Sequence, residues 1–135
     1  MGPRVATPDP LVALAMPTYS ERLLPSTYAD DEPVAVGLAA AGSTPENPVY
    51  VSERLTLRAQ ALARAYDLHL LPTLFSGSVW RIGRLQAQAL LEEIEFLAAL
   101  VPSDSALASV LAVLQDATYR CAHDPSEPDL VIEAP

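Results

Sequence analysis

The sequence predicts a small α+β fold in which a layer of three helices packs against a short sheet. Two strongly amphipathic segments, about 84–101 and 103–121, follow one another with a short link and predict an antiparallel helical hairpin. Strand-like segments precede the helices and one follows them, so the sheet draws strands from both parts of the chain. The length of 135 residues fits a single domain, 1–135, with flexible ends at 1–10 and 134–135.

The N-terminal strands are expected to be short because proline is concentrated there. Eight of the thirteen prolines lie in residues 1–48. Proline lacks the N–H that a strand donates to its neighbour, so it interrupts pairing. We expect strands at about 11–16 and 34–39, a loop over 42–48 and a third short strand at 49–51.

The first helix is predicted to begin after Ser52, a residue type that caps helix N-termini. Glu53 places a negative charge in the first turn, where it interacts favourably with the helix dipole. Apolar residues at helical spacing extend this helix to about residue 67. Arg54 and Arg58 lie away from its apolar stripe.

The second and third helices have the clearest periodicity in the chain. Apolar residues recur at i, i+3, i+4 and i+7 through residues 84–101 and again through the following segment. Pro102 ends the second helix, and Ser103 is expected to cap the third, which runs to about residue 121. The segment 129–133 has the pattern of a final strand.

The connection over residues 70–83 is long and unusually apolar. Pro72, Gly77 and Gly83 interrupt it, and it holds the only tryptophan. Tryptophan and arginine are enriched at interface hot spots, so this region is a candidate binding loop. The alternative is that its aromatic residues close one end of the core. The residues concerned are Phe75, Trp80, Arg81 and Arg84.

Charge is sorted along the chain. Residues 92–135 hold nine acidic residues and one arginine, whereas residues 49–91 have a net charge of +3 and the whole chain −9. A phosphate backbone needs a basic footprint, so nucleic acid is not an expected partner. An acidic surface instead favours a partner with a basic surface.

Three glutamates on the outer side of the second helix are the candidate acidic contacts. None has an arginine at i±3 or i±4 on that helix, so no local ion pair neutralises them. They either face solvent, meet Arg54 and Arg58 of the first helix, or bind a basic partner. These residues are Glu92, Glu93 and Glu95.

Several catalytic and cofactor classes lack the residues they need. The chain has no lysine, so it has no Schiff-base or P-loop lysine. Gly37 and Gly42 have P-loop spacing, but Pro45 and Pro48 prevent the helix that would hold phosphate. Cys121 is the only cysteine, so no internal disulfide can form. No cofactor or metal is predicted.

Cys121 and His123 are the one pair with reactive side chains close in sequence. A nucleophile would need the imidazole within hydrogen-bond reach of a thiol with a lowered pKa. Cys121 falls on the apolar stripe of its helix, which favours a buried, unreactive thiol.

These observations favour a non-catalytic protein–protein interaction module, a small acidic bacterial protein that binds a larger or more basic protein. An immunity protein, an antitoxin-like inhibitor or a secretion chaperone would have such a role. One alternative is a small enzyme or ligand-binding protein with a site near the 70–83 connection and Cys121/His123. A second alternative is a structural subunit of a larger assembly. The sequence is also compatible with a homo-oligomer. With no signal peptide or apolar span in the sequence, no membrane contact is expected and the expected location is the cytoplasm.

Overall fold

A single antiparallel sheet of four strands forms one layer of the computed structural model, which describes residues 20–74 and 78–135. The second strand begins directly after Pro48, and the pairing of the first two strands spans only four residues of each. The strands are β1 (Pro33–Ala39), β2 (Val49–Ser52), β3 (Val79–Ile82) and β4 (Asp129–Glu133), in the order β2-β1-β4-β3.

Three α-helices form the second layer: α1 (Glu53–Ala65), α2 (Arg84–Leu100) and α3 (Ser105–His123). The Ser52 side chain accepts a hydrogen bond from the backbone N–H of Leu55 and so caps α1. The Asp104 carboxylate caps α3 in the same way, accepting from the N–H of Leu107. Three short 3₁₀ turns complete the described elements, at Glu21–Leu23, Pro25–Tyr28 and Leu71–Thr73.

Helix α3 lies at the centre of the fold and contacts α1, α2 and the sheet. Alternation along the strands directs Val36, Ile132 and Trp80, which are opposite one another on β1, β4 and β3, toward the helices. Val36 and Ile132 are fully buried and Trp80 packs at the margin of the same core. Burial of each large aliphatic side chain contributes about 1.5–3 kcal/mol.

The α2–α3 pair is an antiparallel hairpin. Ala87, Leu90, Ile94 and Leu97 form the buried stripe of α2. The turn between the helices spans four residues, and the Arg84 guanidinium at the start of α2 donates to the carbonyl of Asp124, just beyond the end of α3, at 2.6 Å. This bond holds the open end of the hairpin together.

The opposite face of the sheet is partly covered by the loop between β1 and β2, residues 40–48. A Cβ at Gly37 would lie 2.7 Å from Cβ of Pro45, so only glycine lets the loop approach the strand this closely. Arg81 on β3 donates to the carbonyls of Ser43 and Ala40 and so fastens the loop across the sheet.

The predicted α+β fold is confirmed, including the helical hairpin and the strands on both sides of the helices. The predicted connection over 70–83 needs correction, because Val79–Ile82 within it is a strand. The predicted cap of α3 is also wrong: Asp104, not Ser103, holds that position. Helix α1 ends at Ala65, two residues earlier than expected.

Some expectations lie outside the described residues: the strand at 11–16 and the flexible end at 1–10. At the other end, the N–H of Ala134 donates to the carbonyl of Ser78 and extends the β3–β4 ladder by one bond. None of the helices in the described ranges is long and apolar enough to cross a membrane.

Candidate functional site

One side of α2 is exposed along its whole length and combines acidic with apolar residues. Its members recur at intervals of three and four residues, so they lie on one face, opposite the buried stripe. Leu85 is 80% exposed and Phe96 43% exposed, which is unusual for side chains of this size on a helix that also has a buried stripe. The face, called here the α2 outer face, consists of Leu85, Ala89, Glu92, Glu95, Phe96 and Ala99.

Glu92 and Glu95 on this face are exposed and carry unneutralised charge. Among residues 20–74 and 78–135, no ion pair or hydrogen bond engages either carboxylate. The aromatic side of the face is more fixed, since the Phe96 ring lies edge-on to Tyr66 with 5.6 Å between ring centroids.

Glu93 has a different environment from its two neighbours. Its carboxylate accepts hydrogen bonds from the backbone N–H groups of His69, Leu70 and Leu71 at 2.9–3.1 Å. These N–H groups lead into a 3₁₀ turn and have no backbone partner of their own within it. Glu93 is therefore an internal cap that attaches this connection to α2.

Arg54 and Arg58 do not neutralise the α2 outer face. Arg54 pairs with Asp31 at 3.0 Å and lies 5.0 Å from the ring centroid of Tyr28. Arg58 pairs with Asp104 and donates to the hydroxyl of Tyr28. Both arginines are thus used inside the fold, and no arginine in the described ranges pairs with Glu92 or Glu95.

The Asp31 carboxylate connects the strand layer to the start of α1. It accepts from the Ser52 hydroxyl, from the backbone N–H of Arg54 at 2.9 Å and from the Arg54 side chain. Burial alone would raise the pKa of Asp31, but these hydrogen bonds and the Arg54 charge together lower it below the ordinary value. The carboxylate is a structural anchor.

Of the residues predicted as a binding loop, Trp80, Arg81 and Arg84 make contacts within the fold. Trp80 is partly buried and packs against the core. Arg81 pairs with Asp129 at 3.1 Å in addition to holding the β1–β2 loop, and Arg84 joins the two ends of the hairpin. Phe75 lies outside the described residues.

Cys121 and His123 do not form a joint site. Cys121 is fully buried, with Sγ 3.3 Å from the carbonyl oxygen of Pro128, and burial raises the pKa of its thiol. His123 is exposed, stacks on Tyr119 and has Nδ1 2.9 Å from the Tyr119 carbonyl. Residues two apart on a helix point in different directions, which explains the separation. Across the described ranges, no cluster of His, Cys, Asp or Glu has a metal-binding arrangement.

A cleft of about 790 Å³ lies between the end of β1, the β1–β2 loop and α3. Leu38 forms its floor and Ala112, Val113 and Ala117 its helical wall, with charged residues only at the rim. This site, called here the β1 cleft, was not predicted from the sequence.

The fold and its surfaces define a small α+β domain whose central helical hairpin exposes one acidic and apolar face. No protein-family model matches the chain, and neither a curated protein nor a solved structure is significantly similar to it.

Sequence reasoning found Glu92 and Glu95 but not the apolar members of the same face. A signal for them was present: Leu85 and Phe96 fall outside the 87, 90, 94, 97 spacing of the buried stripe. A large apolar residue that is out of phase with the buried stripe is expected on the opposite side of the helix.

Proposed function

We propose that this protein is a non-catalytic interaction module that binds a protein partner through the α2 outer face. The observation that carries the proposal is the pair of unneutralised glutamates, Glu92 and Glu95, set among exposed apolar residues on one helix. This combination is typical of protein interfaces, in which apolar contacts lie beside polar groups that align the partner.

The charge of the face indicates the chemistry of the partner. In the described part of the chain, six arginines bond to other groups of the same molecule. These arginines therefore do not neutralise the negative charge of the α2 outer face. A partner with lysine or arginine side chains around an apolar patch would complement Glu92 and Glu95. The arginines are Arg54, Arg58, Arg64, Arg81, Arg84 and Arg120.

Complementary charge would act mainly on the association rate. Electrostatic steering raises on-rates by about 10- to 1000-fold and weakens as salt increases. This behaviour suits an immunity protein or antitoxin-like inhibitor that must reach a toxin quickly, and equally a secretion chaperone. A bacterial, cytoplasmic setting belongs to the same proposal.

The proposal is tested by photo-crosslinking in the native cell with benzoylphenylalanine in place of Gln88, an exposed residue beside this face. The same photo-reactive residue in place of Ser109, exposed on α3, is the control. We expect one discrete crosslinked protein from position 88 and none from position 109. Equal crosslinking from both positions, or none from either, would contradict the proposal.

A charge-reversal pair then tests whether the glutamates recognise that captured protein. Glu92→Arg/Glu95→Arg and the control Asp30→Arg/Glu46→Arg each shift the net charge by four units, from −9 to −5, at exposed positions. We expect about a tenfold or larger loss of association rate at low salt for the first variant only. A similar loss for both variants would show that overall charge, not the α2 outer face, attracts the partner.

A further inference from the structure

The β1 cleft has the size of a ligand site and is separate from the α2 outer face. Ligand pockets commonly span about 300–1,000 Å³, and the volume of about 790 Å³ falls within that range. Its walls come from elements that the proposed function does not use: the last residues of β1, the β1–β2 loop and α3.

The floor of the cleft is an unpaired stretch of strand edge. On one side, β1 pairs with β4 as far as Ala39, whereas on the other its pairing with β2 stops at Val36. Among residues 20–74 and 78–135, the last three residues of β1 therefore have a strand neighbour on one side only.

Hydrogen-bond geometry shows which backbone groups face the cleft. The N–H of Glu53 donates to the carbonyl of Glu32, so residues 32 and 53 form a hydrogen-bonded pair. Such pairs recur at every second residue of an antiparallel ladder. The N–H and C=O of Leu38 consequently point away from β4 toward the position where β2 would continue.

The protein's own loop leaves this position open. Leu38 would pair with Asn47, but among the described residues no backbone hydrogen bond joins the two. Pro48 falls opposite Gly37, at a position whose backbone groups point away from β1, and Pro45 lies against Gly37 on the sheet face opposite the helices. Asn47 lines the cleft without closing it.

We propose that the β1 cleft binds an extended peptide segment, which adds one β-bridge to Leu38 and rests its side chains against α3. Backbone pairing to an open strand edge, with side-chain pockets beside it, is a recurring mode of peptide recognition. The wall offers Ala112, Val113 and Ala117, which favours a segment with small or β-branched side chains.

Charge does not select the ligand at this site. The rim carries Glu46 together with Asp116 and Arg120, which pair with each other at 3.6 Å. Both signs are present and exposed, so a segment without charged side chains fits. Recognition then comes from the backbone of Leu38 and from the shape of the wall.

The geometric premise is tested first on the free protein by amide hydrogen exchange. The N–H groups of Gly37 and Ala39 point toward β4 and should be protected, whereas that of Leu38 should exchange faster than either. Protection of Leu38 equal to that of its neighbours would show that the edge is already paired and would overturn the proposal.

Binding is then followed by NMR titration with the probe peptide acetyl-Thr-Val-Thr-Val-Thr-amide. We expect saturable shifts with a millimolar dissociation constant, a downfield shift of the Leu38 amide proton and slower exchange at Leu38 alone. The same peptide with all its amides N-methylated cannot donate to the Leu38 carbonyl and should not bind. Shifts that do not saturate, or that are equal for both peptides, would overturn the proposal.

Two matched variants locate the site. Ala112→Trp fills the cleft from an exposed helix position and should abolish peptide binding, whereas Ala89→Trp, an equivalent exposed alanine on α2, should not. Retained binding in Ala112→Trp would contradict the assignment. Binding of the protein partner proposed above should be lost in Ala89→Trp and retained in Ala112→Trp. Failure of one proposal is therefore distinguishable from failure of the other.

Discussion

Two regions of this molecule use acidic residues in opposite ways. Where α1, α3 and the segment before β1 meet, Asp31 and Asp104 each combine a helix-capping contact with an arginine. On the α2 outer face, Glu92 and Glu95 contact no arginine in the described residues. The first region shows charge that fixes the fold, and the second shows charge left for another molecule.

Two adjacent acidic residues can have these two different roles, one inside the fold and one at the surface. Glu93 follows Glu92 directly but accepts three backbone N–H groups of another segment. A rotation of about 100° per helical residue is enough to move a carboxylate from the solvent to an internal contact. An acidic cluster in sequence is therefore not one surface, and each member needs its own test.

The largest expected effect comes from breaking the charge-fixed region at Asp104. Asp104→Ala removes the cap of α3 and leaves the charge of the partly buried Arg58 without its carboxylate. We expect a loss of about 2–4 kcal/mol in the free energy of unfolding, because Arg58 keeps some contact with water. Urea denaturation measures it.

Asp104→Asn supplies the control for this prediction, since the amide oxygen can still cap the helix. It should cost less than Asp104→Ala. Equal losses for the two variants would mean that the ion pair, not the cap, accounts for the whole effect.

The next largest effect is the difference in stability loss between substitutions of Glu93 and Glu92. Glu93→Ala leaves the N–H groups of Leu70 and Leu71, which lie in a partly buried setting, without an acceptor. We expect a loss of about 1–3 kcal/mol in unfolding free energy for Glu93→Ala. Glu92→Ala, at an exposed position, should stay within about 0.5 kcal/mol of the wild type. Similar losses for the two variants would remove the distinction between internal and free acids on α2.

The smallest expected effect is a change in stability at acidic pH, caused by substitution of Asp31. Because the folded-state pKa of Asp31 is lowered, its contribution to stability is fully present above the ordinary value of about 4 and is lost as the pH falls through the folded value. Asp31→Asn should flatten the decline in unfolding free energy below about pH 4, measured by urea denaturation across pH.

Asp30→Asn removes the same charge one residue earlier, at an exposed position without the contacts to Ser52 and Arg54. The unfolding free energy of Asp30→Asn should decline in acid as much as that of the wild type. A flattened decline in Asp30→Asn as well would assign the effect to general charge rather than to the Asp31 network.

The elements that sequence predicted well are those whose signal is local. Ser52 caps α1 as expected, and the periodicity of α2 and α3 placed the hairpin within a few residues. The strand Val79–Ile82 was missed because a strand of four residues shows too little alternation to be recognised. It becomes a strand by pairing with Asp129–Glu133, some fifty residues later.

The ion pairs between residues distant in sequence were beyond prediction for the same reason, whereas the i, i+4 pair of Asp116 and Arg120 follows from helical spacing. The partner of Arg58 is Asp104, 46 residues away, and that of Arg81 is Asp129, 48 residues away. No spacing rule connects such residues. The candidate glutamates could be identified, but which of them were free depended on contacts that only the tertiary structure supplies.

The position of β4 has a consequence for how the protein folds. The strand latest in sequence sits inside the sheet, between β1 and β3, and contributes the buried Leu130 and Ile132. During synthesis, β3 has no neighbour until residues 129–133 leave the ribosome. The sheet is therefore completed by long-range contacts, which are slow to form because loop closure precedes them. A nascent chain stopped before residue 129 would have its helical hairpin and a β1–β2 ribbon but no continuous sheet, and so would be a substrate for chaperones.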